Sequence, residues 1–234
     1  MITELAALWT QAFGDSPEFV EKFFQTGFSP NRCRYIQKEG SIAAALYWFD
    51  CTAGDRHLAY IYAVATAKAY RGRGLCRRLM EHTHDHLQSL GYDGAVLVPG
   101  EPGLFSLYEK LGYRCFSGQK AVSCVLEHTE PSPVRRVTAE EYAALRRRYL
   151  PEGAVVQEGA ALCYLESYCP LYAGEDFVYG GGEFLGNTHR LPGIAAALGK
   201  DITCRIPGTD PFAMYLPLSQ KGQTFPTYFG LALD

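Results

Sequence analysis

The sequence predicts an α/β (α+β) protein built as two units, and three observations predict it. Two amphipathic helical segments open the chain, a strand buried on both faces then runs through a glycine-rich turn into a third helix, and a polar, proline-bearing stretch at 127–138 separates this first part from the rest of the chain. The boundary is expected near residue 131, giving units of 1–130 and 131–234. With 47% apolar residues in 234, the chain holds enough material for one large core or two small ones.

Leu5, Leu8, Trp9 and Ala12 recur at helical spacing, as do Phe19, Val20, Phe23 and Phe24. The second helix carries Ser16 as cap, Pro17 at its first position, Glu18 in its first turn and Gly27 as a stop. CRYIQK and SIAAALYWF, joined by Glu39-Gly40, read as a hairpin with a tight two-residue turn. LAYIYAVAT (58–66) is apolar or small on both alternating faces, which suits a central strand. Leu75, Leu79, Met80, Thr83, Leu87 and Leu90 then mark one face of a helix that stops at Gly91. GAVLVPG is a short buried strand, GLFSLYEKLG a short helix, and YRCF and AVSCVLE two further strands. In the second unit TAEEYAALRRRYL and VVQEGAALCYLESY read as helices, EDFVYGGGEFL as strand with a turn or bulge at Gly180, Gly181 and Gly182, and PGIAAALG as a short helix. DITCRI, FAMYLPL and TYFGLALD are strand candidates.

Twenty-two Lys and Arg against 25 Asp and Glu leave a net charge of -3, which does not favour a polyanionic partner, so nucleic acid is not expected. No apolar run reaches the length of a membrane span, and the first residues lack a basic region followed by an apolar run, so neither a membrane nor secretion is expected. The expected compartment is cytoplasmic. Eight scattered cysteines read as free thiols.

The stretch VATAKAYRGRGLCRRL places a glycine turn and a helix start just past the buried strand. Amides at a helix N-terminus lack internal acceptors, the helix dipole favours an anion there, and glycines permit close approach, so phosphate is the natural ligand. A Walker loop is excluded because no Lys-Ser or Lys-Thr follows the glycines, and a dinucleotide fingerprint because after Gly72 and Gly74 the third glycine's place is taken by Arg77, and no glycine follows as far as Leu79.

Arg71, Gly72, Arg73, Gly74, Leu75 and Cys76 resemble the pyrophosphate loop of the GNAT N-acetyltransferase superfamily, [Arg or Gln]-x-x-Gly-x-[Gly or Ala], with Cys76 departing at the last place. The preceding Val64, Ala65 and Thr66 are similar to the family's splayed central strand, and LFSLYEKLGYRCF to its Leu-Tyr-x-x-x-Gly-[Phe or Tyr] helix and strand. The resemblance spans residues 1 to about 127. It implies a mixed, mostly antiparallel central sheet and a second, degenerate GNAT-like unit that shapes the acceptor site without binding coenzyme A.

The cosubstrate implied is acetyl-coenzyme A, gripped by Val64, Ala65, Thr66 and the loop from Arg71 to Cys76. The reaction implied is acetyl transfer to a primary amine of a small molecule or peptide, by direct attack in a ternary complex. Tyr108 matches the tyrosine that protonates the departing thiolate, and the Val64 amide is placed to stabilise negative charge on the thioester oxygen. The family's usual strand glutamate is absent from LAYIYAVAT, so the base is sought among Asp50, Asp55, His57, Glu183 and Asp234, with Asp234 favoured. No metal is expected: His82, His84 and His86 read as a polar helix face rather than a zinc site. Arg146, Arg147 and Arg148 read as a solvated face, and Tyr164, Tyr168, Tyr172, Phe177 and Tyr179 as core rather than an acceptor cleft. A homodimer is left open, and the alternative function is a non-catalytic acyl-coenzyme A sensor.

Overall fold

In a computed structural model of the chain, which describes residues 1–233, two units separate by their contacts. The first comprises Met1–Arg114 and Met214–Phe225, and the second Cys115–Ala213 with the residues from Pro226 on.

The first unit opens with α1 (Ile2–Phe13), which buries Leu5, Leu8 and Trp9 and ends at Gly14 in the left-handed conformation. Helix α2 (Pro17–Lys22) starts as its sequence dictates: the Ser16 hydroxyl accepts the Phe19 amide at 3.2 Å and Pro17 fills the first turn. It widens into a π turn over Phe23–Gly27 before β1 (Cys33–Lys38) and β2 (Ser41–Ala53) form the expected antiparallel hairpin. Glu39 and Gly40 both have positive φ, 52° and 78°, the mirror-image turn whose twist matches the strands. Strand β3 (Arg56–Thr66) lies between β2, antiparallel to it, and β4 (Gly94–Leu97), parallel to it. The crossover between β3 and β4 is α3 (Leu75–Ser89), and α4 (Phe105–Glu109) follows. The last strand of the chain, β12 (Asp210–Pro217), returns from Met214 on to pair antiparallel with β4.

Alternation along β2 and β3 divides the core of this unit. Leu46, Trp48, Ala59 and Ile61 face α3 and pack with Leu75, Leu79, Met80 and Leu87. Tyr47 and Tyr62 face the other way, against Trp9 and Phe23, with ring centroids 4.7 to 5.8 Å apart. Side chains of this size contribute about 1.5–3 kcal/mol each when withdrawn from water.

The second unit holds β5 (Arg114–Cys124, from Cys115 on), β6 (Arg135–Val137), α5 (Ala139–Arg146), the short β7 (Val156–Gln157), α6 (Ala160–Tyr168), β8 (Leu171–Ala173), β9 (Phe177–Gly180), β10 (Glu183–Gly186), α7 (Leu191–Leu198) and β11 (Ile202–Pro207). Its ladder runs β6, β8, β9, β10, β11, β5, antiparallel throughout except for the parallel pair β10 and β11. Two helices, a three-strand meander, a crossover helix and a parallel strand therefore occur twice: α1, α2, β1, β2, β3, α3, β4, and again α5, α6, β8, β9, β10, α7, β11. Both units thus carry a mixed, mostly antiparallel sheet.

Four segments of the second half differ from their expected form. YRCF and AVSCVLE are one strand, β5, because Ser117 to Lys120 continue the extended chain. The stretch 127–138 contains β6, paired with β8. VVQEGAALCYLESY is a short strand followed by a helix that begins only after Gly159. Residues 226–233 form no strand; two main-chain bonds hold them, Val155 N to Tyr228 O at 2.8 Å and Thr227 N to Gly153 O at 3.1 Å, together with the Ser117 hydroxyl, which donates to Phe229 O and accepts its amide, and the Gln157 amide, which donates to Leu231 O. Gly181 and Gly182 make the expected turn, with φ of 54° and 71°. Tyr164 and Phe177 are core as expected, and Tyr172 stacks on Tyr179 at 6.2 Å.

Arg146 and Glu183 depart furthest from their expected roles. The Arg146 guanidinium donates through Nε and Nη2 to both Glu183 oxygens at 2.6 and 3.0 Å, and the Tyr228 hydroxyl donates to the same carboxylate at 3.0 Å. The two side chains are 1% and 0% exposed, so Arg146 is no solvated residue and Glu183 is a structural anion rather than a base. Gly230 is required beside them, since a Cβ there would sit 1.8 Å from the Tyr228 hydroxyl. Glu183→Ala strands a buried guanidinium and is expected to cost about 3–5 kcal/mol, read as a drop in the urea midpoint.

Candidate functional site

The site lies in the first unit, at the end of β3. From Tyr47↔Tyr62 to Ala45↔Ala65, β3 advances one residue more than β2, so Ala63 and Val64 together oppose Leu46. This is a bulge, and Ala63 takes φ of 48°, a conformation rare for a residue with a side chain. On the other flank, the ladder with β4 runs from Leu58↔Gly94 to Tyr60↔Val96 and, among the described residues, stops there. The two parallel strands thus part just where the bulge turns the Val64 amide out of register. The Val64 side chain is half-buried against the α3 cluster.

The loop after β3 ends in Gly72 and Gly74, with φ of 74° and 73°, and Gly74 caps α3 by its backbone alone. A Cβ at either glycine would meet no atom within 4 Å, so open space lies above both. No hydrogen bond to protein engages the amides of 72–76 among the described residues, and no side chain caps the helix. Arg71 serves differently: its amide donates to Lys68 O at 3.4 Å and its Nε to Thr66 O at 3.1 Å, bracing the loop on the strand end. Arg73 lies 5.4 Å over the Tyr70 ring, and the Tyr70 hydroxyl donates to Glu39 at 3.2 Å. Arg71, Arg73, Arg77 and Arg78 are all exposed around the glycine turn. Unpartnered amides, a helix N-terminus and four guanidinium groups together make an anion cradle.

Tyr108 lies on α4, 6% exposed, in the same cluster as Leu75 and Leu79, with Val64 and Cys76 at its margin. The fold therefore brings Val64, Leu75, Cys76 and Tyr108, far apart in sequence, onto one cluster. Burial holds the Tyr108 phenol well above the ordinary tyrosine range, with the nearby Cys76 adding to it, and burial also raises the Cys76 thiol. Both stay protonated at neutral pH, so the Tyr108 hydroxyl carries its proton and Cys76 lacks the thiolate that a nucleophile needs.

The other acids are placed elsewhere. Asp50 pairs with Arg32 at 2.5 Å and accepts the Tyr92 hydroxyl, while Asp55 pairs with Lys221 at 3.0 Å. His57 stacks on Tyr92 at 4.0 Å. These three belong to the end of β2 and the start of β3, roughly 20 Å along the strand from Val64 at ~3.3 Å per residue. Asp234 lies outside the described residues. The three histidines diverge: His82 is exposed, His86 meets Arg34, and His84 bonds the Tyr113 hydroxyl at 2.9 Å.

Residues 1–116 match a family model described as an acetyltransferase (GNAT) domain. This segment is a GNAT acetyltransferase domain. Its reaction class is that family's, transfer of an acyl group to an amine, and coenzyme A is the family's carrier. Solved structures of similar fold include GCN5-related N-acetyltransferases from Anabaena variabilis (17% identity, TM-score 0.69, 93% of this chain and 70% of that one) and Kribbella flavida (17%, 0.62, 93% and 69%). A Pyrococcus horikoshii protein matches over 99% of this chain and 91% of its own, at 16% identity and TM-score 0.68. At such identities the likeness establishes the fold alone. A comparison with curated protein sequences finds no match.

The geometry sets two expected outcomes for this acetyltransferase. Gly74→Ala places a methyl group at positive φ and into the cradle; it is expected to cost about 1–2 kcal/mol of stability and to weaken coenzyme A binding, read by thermal melting and calorimetric titration. Burial lowers the His84 imidazole from 6.5 to about 4, against a weaker opposing effect of Asp85. The folded state therefore favours the neutral ring, so its stability is complete above 6.5 and declines as pH falls toward 4. Urea midpoints are expected to drop across that window, and less steeply in His84→Gln.

Proposed function

We propose that the protein transfers the acetyl group of acetyl-coenzyme A to a primary amine of a small molecule or peptide, by direct attack in a ternary complex. The observation that carries this reading is the opened ladder beside the bulge: the Val64 amide, the glycine cradle and Tyr108 are arranged around strand ends that have parted. In this reading the amides of 72–76 and the surrounding arginines hold the diphosphate. Ala65 and Thr66 present main chain to the pantetheine arm, and the Val64 amide donates to the thioester oxygen as negative charge grows there. The amine attacks the carbonyl carbon, the carbon–sulfur bond breaks, and the thiolate takes its proton from Tyr108. No protein thioester is needed. For the proton lost by the amine the reading keeps Asp234 as base, because β3 offers no carboxylate over residues 61–66.

The second unit, drawn as 131–234, is proposed to be a degenerate copy that shapes the acceptor site. What supports this is the repeated order of elements, together with the changed connector before α7. There the Asn187 side chain accepts the His189 amide at 3.1 Å, Arg190 is paired with Asp176 at 3.0 Å, and Pro192 removes a first-turn donor. The first unit's loop instead leads into its helix through Gly74, without a preceding capped turn or a first-turn proline.

A non-catalytic acyl-coenzyme A sensor is the rival, favoured by the lack of a carboxylate on β3. Tyr108→Phe is expected to lower kcat by about 100-fold while leaving coenzyme A affinity within about three-fold, measured by amine-dependent thiol release and calorimetric titration. A sensor would bind the cofactor and release no thiol with any amine in a broad panel. Absence of coenzyme A binding altogether would defeat both readings.

A further inference from the structure

Tyr108 sits on a helix of five residues, too short for its own packing to aim a side chain. What meets its ring is Tyr113, edge-on at 5.9 Å, and the Tyr113 amide donates to the Tyr108 carbonyl at 3.1 Å. Tyr113 is 1% exposed, and its hydroxyl bonds His84 Nε2 at 2.9 Å. His84 lies in the middle of α3, the helix whose first turn forms the anion cradle. The α3 scaffold thus reaches α4 by a defined route: His84 to the Tyr113 hydroxyl, then the edge-on contact between the Tyr113 and Tyr108 rings.

We propose that His84, acting through Tyr113, is a positioning residue for acetyl transfer, fixing the direction of the Tyr108 phenol relative to the cofactor held at the start of α3. This rests on the proposed role of Tyr108 as acid. A buried hydroxyl left without a partner is costly, so loss of His84 drives the Tyr113 ring to seek another, and the ring cannot turn without moving the Tyr108 ring that meets it edge-on. The imidazole is held neutral by burial, so the contact persists across the working pH range. The histidine triplet in the sequence is accordingly divided by function: its central member faces inward, away from the exposed His82.

The test is steady-state kinetics of purified full-length variants with acetyl-coenzyme A and any amine that supports thiol release. His84→Ala is expected to lower kcat by about ten-fold with the KM for acetyl-coenzyme A within two-fold, and His84→Gln, which retains a hydrogen-bonding group, to recover most of the loss. Tyr113→Phe keeps the ring and removes the hydroxyl, leaving His84 Nε2 rather than the tyrosine without its partner, so it reads the same contact from the other side where His84→Ala folds poorly. It is expected to lower kcat similarly, and the double variant His84→Ala/Tyr113→Phe to be no slower than the slower single one. In a Tyr108→Phe background neither change has an effect left to exert. Wild-type kcat in Tyr113→Phe, or equal further losses in the Tyr108→Phe background, overturns the positioning role while leaving Tyr108 as acid. Wild-type kcat in Tyr108→Phe itself overturns the acid assignment instead.

Discussion

The structure of the first unit depends on one interruption in strand pairing. Strand β3 is bonded along its whole length to β2 but along only its first half to β4, and the extra residue at Ala63 and Val64 falls where the second ladder has stopped. A non-glycine residue at φ of 48° is strained, by roughly 1–3 kcal/mol, and persists only where its surroundings overdetermine it. Here the Tyr47↔Tyr62 pair precedes it, the Ala45↔Ala65 pair follows it, and Trp9 and Phe23 clamp the tyrosines from the other face. Aromatic packing on one face of the sheet therefore holds the bulge beside the point where the ladder with β4 ends.

The polar chemistry of the site is mostly that of the backbone. Its acidic side chains are committed elsewhere, and its cationic ones stand around the glycine turn, in a chain whose net charge is -3. The two crossovers of the repeated topology make the point by contrast. After β3 the chain enters its helix through Gly74, with first-turn amides exposed; after β10 it enters through a capped turn, an ion pair and a proline. Equivalent topology gives exposed first-turn amides after a glycine in one case and a capped turn with a paired arginine leading into a proline in the other, and the difference lies in which donors already have acceptors.

The sequence discloses local features where one or two residues determine the geometry. The Ser16 cap, the Glu39-Gly40 turn and the Gly181-Gly182 turn all depend on near-neighbour sterics and hydrogen bonds, and all are found where the residue types place them. The bulge is invisible in VAT, because alternation of small residues is the same with or without an extra residue in register. Arg146 is similarly opaque: next to Arg147 and Arg148 it looks solvated, and only its partner Glu183, 37 residues away, makes burial tolerable. Residues 226–233 have strand-like composition, yet their main chain bonds to Gly153 and Val155 and to the side chains of Ser117 and Gln157, a solution that no local pattern encodes. His84 belongs to the same class, since its inward direction depends on Tyr113, 29 residues later.

Cys76 shows how a departure from a motif can leave its chemistry intact. In the first turn of a helix, side chains lean back toward the N-terminus and down onto the flank of the element, while the amides point out along the axis. The Cys76 side chain accordingly rests at the margin of the cluster that contains Leu75, Leu79 and Tyr108, half-buried, and the cradle keeps its amide. A glycine or alanine would leave the same amide exposed and fill less of the gap beside Tyr108. The extra sulfur thus adds packing to the phenol's surroundings and contributes to the burial that keeps both hydroxyl and thiol protonated. Small size is demanded at Gly72 and Gly74, where the backbone itself is left-handed, and not at the position that faces the core.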